Sequence, residues 1–80
     1  MRILDFDNNL ALKSVVLYLR KEEAEELSSS IKDLILAEED KNHSHVNDIT
    51  YEHEITVVLY DDKNLESLNK RSQDLILYGE

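Results

Sequence analysis

The chain has 80 residues, of which 9 are Lys or Arg and 18 are Asp or Glu, so its formal net charge is −9. The length fits one small domain, and the excess of acids excludes a generally basic nucleic-acid-binding protein, which sets Lys and Arg against phosphates. No apolar run reaches the ~18 residues of a membrane span, and no signal-peptide pattern is present. With no cysteine there is no disulfide framework and no thiolate zinc site. We therefore expect a cytoplasmic protein that neither enters membranes nor binds nucleic acid directly.

The negative charge is concentrated in the middle of the chain. Residues 22–54 contain eleven acids and two lysines, a net charge of −9, whereas residues 1–21 have a net charge of +2 and residues 55–80 one of −2. A surface with such a field speeds encounter with a basic partner. The alternative interpretation is that the charge only keeps a small protein soluble.

The first twenty residues predict a hairpin. Residues 1–6 are a short apolar strand candidate, and residues 7–9 have the composition of a turn. Residues 11–20 are rich in β-branched and aromatic side chains and predict a second strand. Because side chains alternate along a strand, the odd-numbered and even-numbered residues of this segment would line opposite faces.

Residues 22–37 predict a helix, because apolar residues recur at spacings of three and four and form one stripe. The stripe comprises Ala24, Leu27, Ile31, Leu34 and Ile35. Four acids of this segment fall on the opposite side: Glu22, Glu25, Glu26 and Asp33. Glu22 and Glu26 are like charges four residues apart, so we expect the helix to depend on packing.

The second half of the chain predicts two further strands and a helix. Residues 43–46 are a candidate for a short strand, and residues 51–60 predict a strand with Ile55, Val57 and Leu59 on one face. Residues 63–77 predict a helix that Gly79 terminates. The alternative for the tail is a short helix at 63–71 followed by a strand at 74–78.

Two tetrapeptides occur twice in the same order: VVLY at 15–18 and 57–60, and DLIL at 33–36 and 74–77. This repetition predicts two ββα units, with a duplication of residues 1–37 and 43–78 inside a single domain, 1–80. The predicted fold is α+β, a four-stranded antiparallel sheet with both helices on one face. The alternative is a ββαββ arrangement with a short helix and a C-terminal strand.

Helices on one face would leave the other face of this sheet uncovered. Exposed aliphatic and tyrosine side chains there are typical of a dimer or partner interface. The residues concerned are Leu12, Val16, Tyr18, Val58 and Tyr60. The alternative is that strand ends, a loop or the tail cover this face.

Few residues suggest chemistry. His43 and His45 would face the same way on a strand and, with His53, are weak candidates for binding a metal; exposed or hydrogen-bonded histidines are the favoured interpretation. A single glycine excludes phosphate-cradling loops and nucleophile-elbow turns, so we predict no catalytic residue, no cofactor and no enzyme. Lys70 and Arg71 are expected to bind partners within the chain.

The EEAEEL sequence at 22–27, and the HSH segment at 43–45 before an alternating strand, resemble segments of small bacterial immunity proteins. The resemblance covers about half of the chain and includes no diagnostic motif. It implies a protein that binds and blocks a toxin.

Small size and localised charge predict a stoichiometric inhibitor of a basic nucleic-acid-binding protein. Two settings fit equally: a phage or mobile-element anti-defence protein such as an anti-CRISPR, and an immunity protein against a toxin nuclease. The alternatives are a homodimeric structural or assembly module and a histidine-based metal-binding domain. The predicted partner-binding acids are Glu22, Glu25, Glu26, Asp33, Glu38, Glu39 and Asp40.

Overall fold

The structure is a computed structural model that describes residues 1–37 and 42–79. Its elements are, in chain order, β1 (Ile3–Asp5), β2 (Leu10–Leu12), α1 (Lys21–Leu36), β3 (His43–Asn47), β4 (Glu54–Val58), a 3-10 helix (Leu65–Ser67) and α2 (Lys70–Tyr78). The chain divides into two compact units, one formed by residues 1–17 and 61–80 and the other by residues 18–60. The buried apolar residues of the described chain are Leu34, Val46 and Leu75.

The first unit contains a short hairpin. β1 and β2 pair antiparallel, from Ile3 opposite Leu12 to Asp5 opposite Leu10. In the turn, the Asp5 carboxylate accepts hydrogen bonds from the side chain of Asn8 (2.9 Å) and from its backbone N–H (3.2 Å). Both bonds stabilise the charged carboxylate and lower the pKa of Asp5.

The hairpin ends at Leu12, so the prediction of a strand across residues 11–20 is wrong beyond that residue. One further pair would place Arg2 opposite Lys13, and like charges directly opposite each other destabilise a strand pair. The Arg2 guanidinium instead donates from Nε to the carbonyl oxygen of Leu75, at 2.9 Å, near the end of α2. Residues 14–20 lie outside any strand.

The predicted four-stranded sheet is wrong. The described strands form two separate two-stranded sheets, β1–β2 and β3–β4. The ββαββ alternative is also wrong, because Lys70–Tyr78 is helical. A larger sheet would need residues 13–20 to continue β2, and an alternating apolar pattern favours a strand without specifying the strand it pairs with. The predicted internal duplication stays a prediction.

The tail is helical, as predicted, but it is interrupted. The Asp61 carboxylate accepts hydrogen bonds from the backbone N–H groups of Lys63 (2.8 Å) and Asn64 (3.0 Å), just before the 3-10 helix. Asn69 then starts a new helix, because its side-chain oxygen accepts a hydrogen bond from the backbone N–H of Ser72 at 2.8 Å. The prediction of one helix over 63–77 is therefore correct only for its second half.

The end of α2 and the partners of its two basic residues agree with the sequence prediction. Gly79 adopts a left-handed conformation, with φ 74°, and its N–H donates to the carbonyl oxygen of Leu75 at 2.8 Å. Lys70 pairs with Asp74 at 3.2 Å, and Arg71 donates from Nε to the side-chain oxygen of Asn9 at 2.5 Å. Both basic residues thus have partners within the chain.

In the second unit α1 matches its prediction within one residue at each end. The backbone N–H of Arg20 donates to the Glu23 carboxylate at 2.8 Å, which satisfies a donor at the start of the helix. α1 lies against β3, and Leu34 of the helix is buried. Ile35 is 67% exposed, so the buried stripe is narrower than predicted.

β3 and β4 pair antiparallel, with Val46 opposite Ile55 and His45 opposite Thr56. The alternation predicted for β4 is confirmed: Ile55 and Val57 are partly buried, whereas Thr56 and Val58 are exposed. The buried residue of β3, Val46, lies on the same face as Ile55 because opposite residues in an antiparallel pair share a face.

Candidate functional site

The acids of α1 form one exposed row. Residues four and seven apart lie on the same side of a helix, so Glu22, Glu26 and Asp33 are aligned, with Glu25 beside them. All four side chains are exposed. The ion pairs found in residues 1–37 and 42–79 involve other residues. We call Glu22, Glu25, Glu26 and Asp33 the acidic stripe.

The positive charge on α1 offsets only part of the acidic stripe. α1 has no basic residue in its last turn, and Lys21 and Lys32 are its two bases. Exposed charges of one sign, aligned along a helix, sum to a field that attracts a basic surface from a distance of about one Debye length, ~8–10 Å at physiological salt. The stripe can therefore accelerate and orient docking. The other predicted acids, Glu38, Glu39 and Asp40, lie outside the described residues.

Leu36 lies on the same side of α1 as the acidic stripe and was not among the residues predicted from the sequence. It is 71% exposed and follows Asp33 by three residues, which places it on the same side of α1. An exposed leucine at the end of a charged row can supply the apolar contact that charge alone does not give to an interface. Its spacing could have revealed it, because Leu36 lies off the predicted apolar stripe.

The predicted sheet face is not one face. Leu12 belongs to β2 and Val58 to β4, which are in separate sheets. Val16 and Tyr18 lie in the segment between β2 and α1, which is not a strand, and Tyr60 follows β4. All five side chains are nevertheless exposed, from 38% for Leu12 to 92% for Tyr18.

His43 and His45 lie on the same face of β3, as predicted, with ring centroids 5.3 Å apart. The Nδ1 atom of His45 lies 2.8 Å from the Thr56 hydroxyl and 2.5 Å from a carboxylate oxygen of Glu54, both on β4. His43 bonds to the side chain of Asn42 at 3.0 Å. Both rings are therefore engaged in hydrogen bonds along the strand pair.

Asp48 organises the loop between β3 and β4. One of its carboxylate oxygens accepts hydrogen bonds from the backbone N–H groups of Glu52 (2.9 Å) and His53 (3.2 Å). The other lies 2.6 Å from Nδ1 of His53. This loop delays the start of β4 to Glu54, three residues later than predicted, and Tyr51 within it takes a φ of 56°.

The contact between Asp48 and His53 shifts both titrations. The hydrogen bond from His53 lowers the pKa of Asp48, and the Asp48 carboxylate raises the pKa of His53. Glu52 and Glu23 raise the pKa of His53 further through their charge. His53 is therefore hydrogen-bonded to Asp48 within its own loop.

No group of three His, Cys, Asp or Glu residues in the described part of the chain is arranged to hold a metal ion. His43, His45 and His53 do not come together in such a group. A cavity of about 240 Å³ lies in the first unit and is lined in part by Arg2, Leu12 and Leu75. That volume is below the ~300 Å³ at which small-molecule sites begin.

No family model, no curated protein and no solved structure matches the chain. Within residues 1–37 and 42–79, no helix is long and apolar enough to cross a membrane.

Proposed function

We propose that the chain is a small stoichiometric inhibitor that binds a basic, nucleic-acid-binding protein through the acidic stripe of α1. It acts by covering the partner's nucleic-acid-binding surface or by imitating phosphate charge, without catalysis and without a cofactor. The expected location is the cytoplasm. The setting is either anti-defence in a phage or mobile element, such as an anti-CRISPR, or immunity against a toxin nuclease.

The observation that supports this proposal is the exposed row of four carboxylates on one side of α1, which ends at Leu36. Aligned carboxylates can pair with the long, flexible Lys and Arg side chains of a surface that binds phosphates. The long-range attraction between the two surfaces raises the association rate. Leu36 supplies apolar contact that slows dissociation. The four carboxylates thus speed the association of the two proteins, and Leu36 slows their dissociation.

The test is affinity capture from the cell that encodes the chain, at about 0.05 M and about 0.5 M salt, where screening differs strongly. We expect the chain to retain a nucleic-acid-binding protein at low salt and to lose it at high salt. The purified partner should then lose binding to its nucleic acid when one equivalent of the chain is added. A partner that is retained equally at both salt concentrations, or that keeps its nucleic-acid binding, would contradict the proposal.

A further inference from the structure

The exposed segment between β2 and α1 complements the outer edge of β4. Residues 14–20 are rich in β-branched and aliphatic side chains and lie outside any strand, with Val16 70% and Tyr18 92% exposed. In the described chain β4 pairs with β3 alone, so its second edge offers backbone donors and acceptors. We propose that residues 14–19 of one copy add to the outer edge of β4 in a second copy, and that the exchange is reciprocal.

The backbone of β4 presents the required groups. The bonds from Leu59 N to Asn42 O (2.8 Å) and from Asp48 N to His53 O (3.2 Å) mark the odd-numbered residues of this strand as facing β3. Thr56 and Val58 therefore direct their N–H and C=O groups away from β3. An added antiparallel strand would bond to these two residues.

One antiparallel register fits both the faces and the charges. With Leu17 opposite Val57, Leu19 lies opposite Ile55, on the partly buried face of the β3–β4 sheet. The same register places Arg20 opposite Glu54. Beyond the end of β4 it brings Lys13 towards Asp61, which is a second pair of opposite charges.

Neighbouring registers lose this agreement. A shift of two residues in one direction would bring Lys21, the first residue of α1, opposite Ile55, where a helical residue cannot pair as a strand. A shift of two residues in the other direction sets the charge of Lys13 opposite the aliphatic Leu59. A shift of one residue reverses the faces. The start of α1 and the charge pattern therefore select the register with Leu17 opposite Val57.

Pairing of like segments is also disfavoured. Two copies of residues 14–20 paired about Leu17 would bring basic ends together, with Lys13 of one copy beside Lys21, at the start of α1, of the other. Basic ends on one segment and acidic ends on the other favour the mixed pair between two copies. This interface lies outside the acidic stripe and does not depend on the proposed function.

Sedimentation of the wild-type chain between about 1 and 100 μM gives the first test, since edge pairing of modest area produces affinities in this range. A monomer–dimer equilibrium is expected. A strict monomer over the whole range would overturn the proposal.

Disulfide trapping tests the register in a chain that has no native cysteine. Leu17→Cys chains mixed with Val57→Cys chains should form a linked heterodimer on oxidation, because these residues would be a non-hydrogen-bonded pair about 4.5 Å apart between Cα atoms. The matched control replaces Val57→Cys with Val58→Cys, whose side chain faces the opposite side, and should cross-link much more slowly. Equal trapping of both mixtures would overturn the register.

The double variant, Leu17→Cys with Val57→Cys in one chain, distinguishes a second copy from the same chain. Oxidation should give a dimer linked twice. A disulfide closed within a single chain would show that the segment adds to its own sheet and would overturn the proposal.

Charge reversal tests the ends of the pair. Lys13→Glu with Arg20→Glu should weaken dimerisation by about tenfold, because opposite charges become like charges. Lys32→Glu with Lys70→Glu makes the same change in net charge away from both pairs and should leave dimerisation within about twofold. An equal effect of both variants would contradict the assigned pairs.

Discussion

Asp48 and His53 are hydrogen-bonded across the loop between β3 and β4. The contribution of this contact to stability depends on pH through the protonation of both side chains. The raised pKa of His53 means that its contribution to stability is complete below the ordinary value of 6.5 and is lost as pH rises through the raised value. The lowered pKa of Asp48 means that its contribution is present above 3.8 and is lost as pH falls through the lowered value. Both contributions are therefore present between 3.8 and 6.5.

We predict that Asp48→Asn moves the NMR titration midpoint of His53 down towards 6.5, because the carboxylate that stabilises the imidazolium is lost. The amide oxygen still accepts backbone hydrogen bonds, so the loop keeps its shape. Glu52→Gln is the matched control in the same loop and should lower the midpoint by less, since Asp48 is the larger cause. An unchanged midpoint in Asp48→Asn would contradict the assignment.

Single residues also decide where sequence analysis succeeds. Gly79 was predictable, because a glycine just after a helical pattern has few other roles. Leu36 was missed although its spacing places it on the side of Asp33, because a leucine that follows directly on Leu34 and Ile35 is usually taken as part of the core.

At the scale of elements, α1 and β4 were predictable because each has a sustained period, 3.6 residues in one and 2 in the other. The single sheet was not. The alternating apolar pattern of residues 11–20 favours a strand but does not specify its partner strand. The hairpin itself ends where a further pair would set Arg2 opposite Lys13, and Arg2 instead donates to the end of α2. Such competition between a strand pair and a helix end depends on residues more than sixty positions apart.

The break before α2 comes from a single residue, because the side-chain oxygen of Asn69 accepts a hydrogen bond that starts a new helix. We predict that Asn69→Ala lowers the free energy of unfolding by about 1 kcal/mol, because the N–H of Ser72 loses its acceptor. Asn69→Asp keeps an acceptor at the same position and should change stability by less than about 0.5 kcal/mol. Urea unfolding followed by circular dichroism measures both. Equal losses in the two variants would show that the cap is not the cause.

Across the whole molecule, the net charge of −9 comes from one part of the sequence, residues 22–54. The described acids of that part include the acidic stripe, and the sequence predicted these residues correctly as the outer side of the helix. A charge pattern specifies the sign of a complementary surface and not its shape, so the sequence predicts a basic surface for the proposed partner and nothing of its fold.

The association rate of the captured partner with three forms of the chain reports most directly on the role of the acidic stripe. The first is wild type. The second neutralises the acidic stripe, with Glu22→Gln, Glu25→Gln, Glu26→Gln and Asp33→Asn. The third is the control, which neutralises four exposed acids outside α1: Asp7→Asn, Glu52→Gln, Asp62→Asn and Glu66→Gln.

Both variants change the net charge by the same amount, so a difference between them reports on position. We predict that the stripe variant associates about tenfold or more slowly than wild type and loses most of the salt dependence, whereas the control stays within about twofold to threefold. Equal slowing in the two variants, or unchanged association of the stripe variant, would contradict the account.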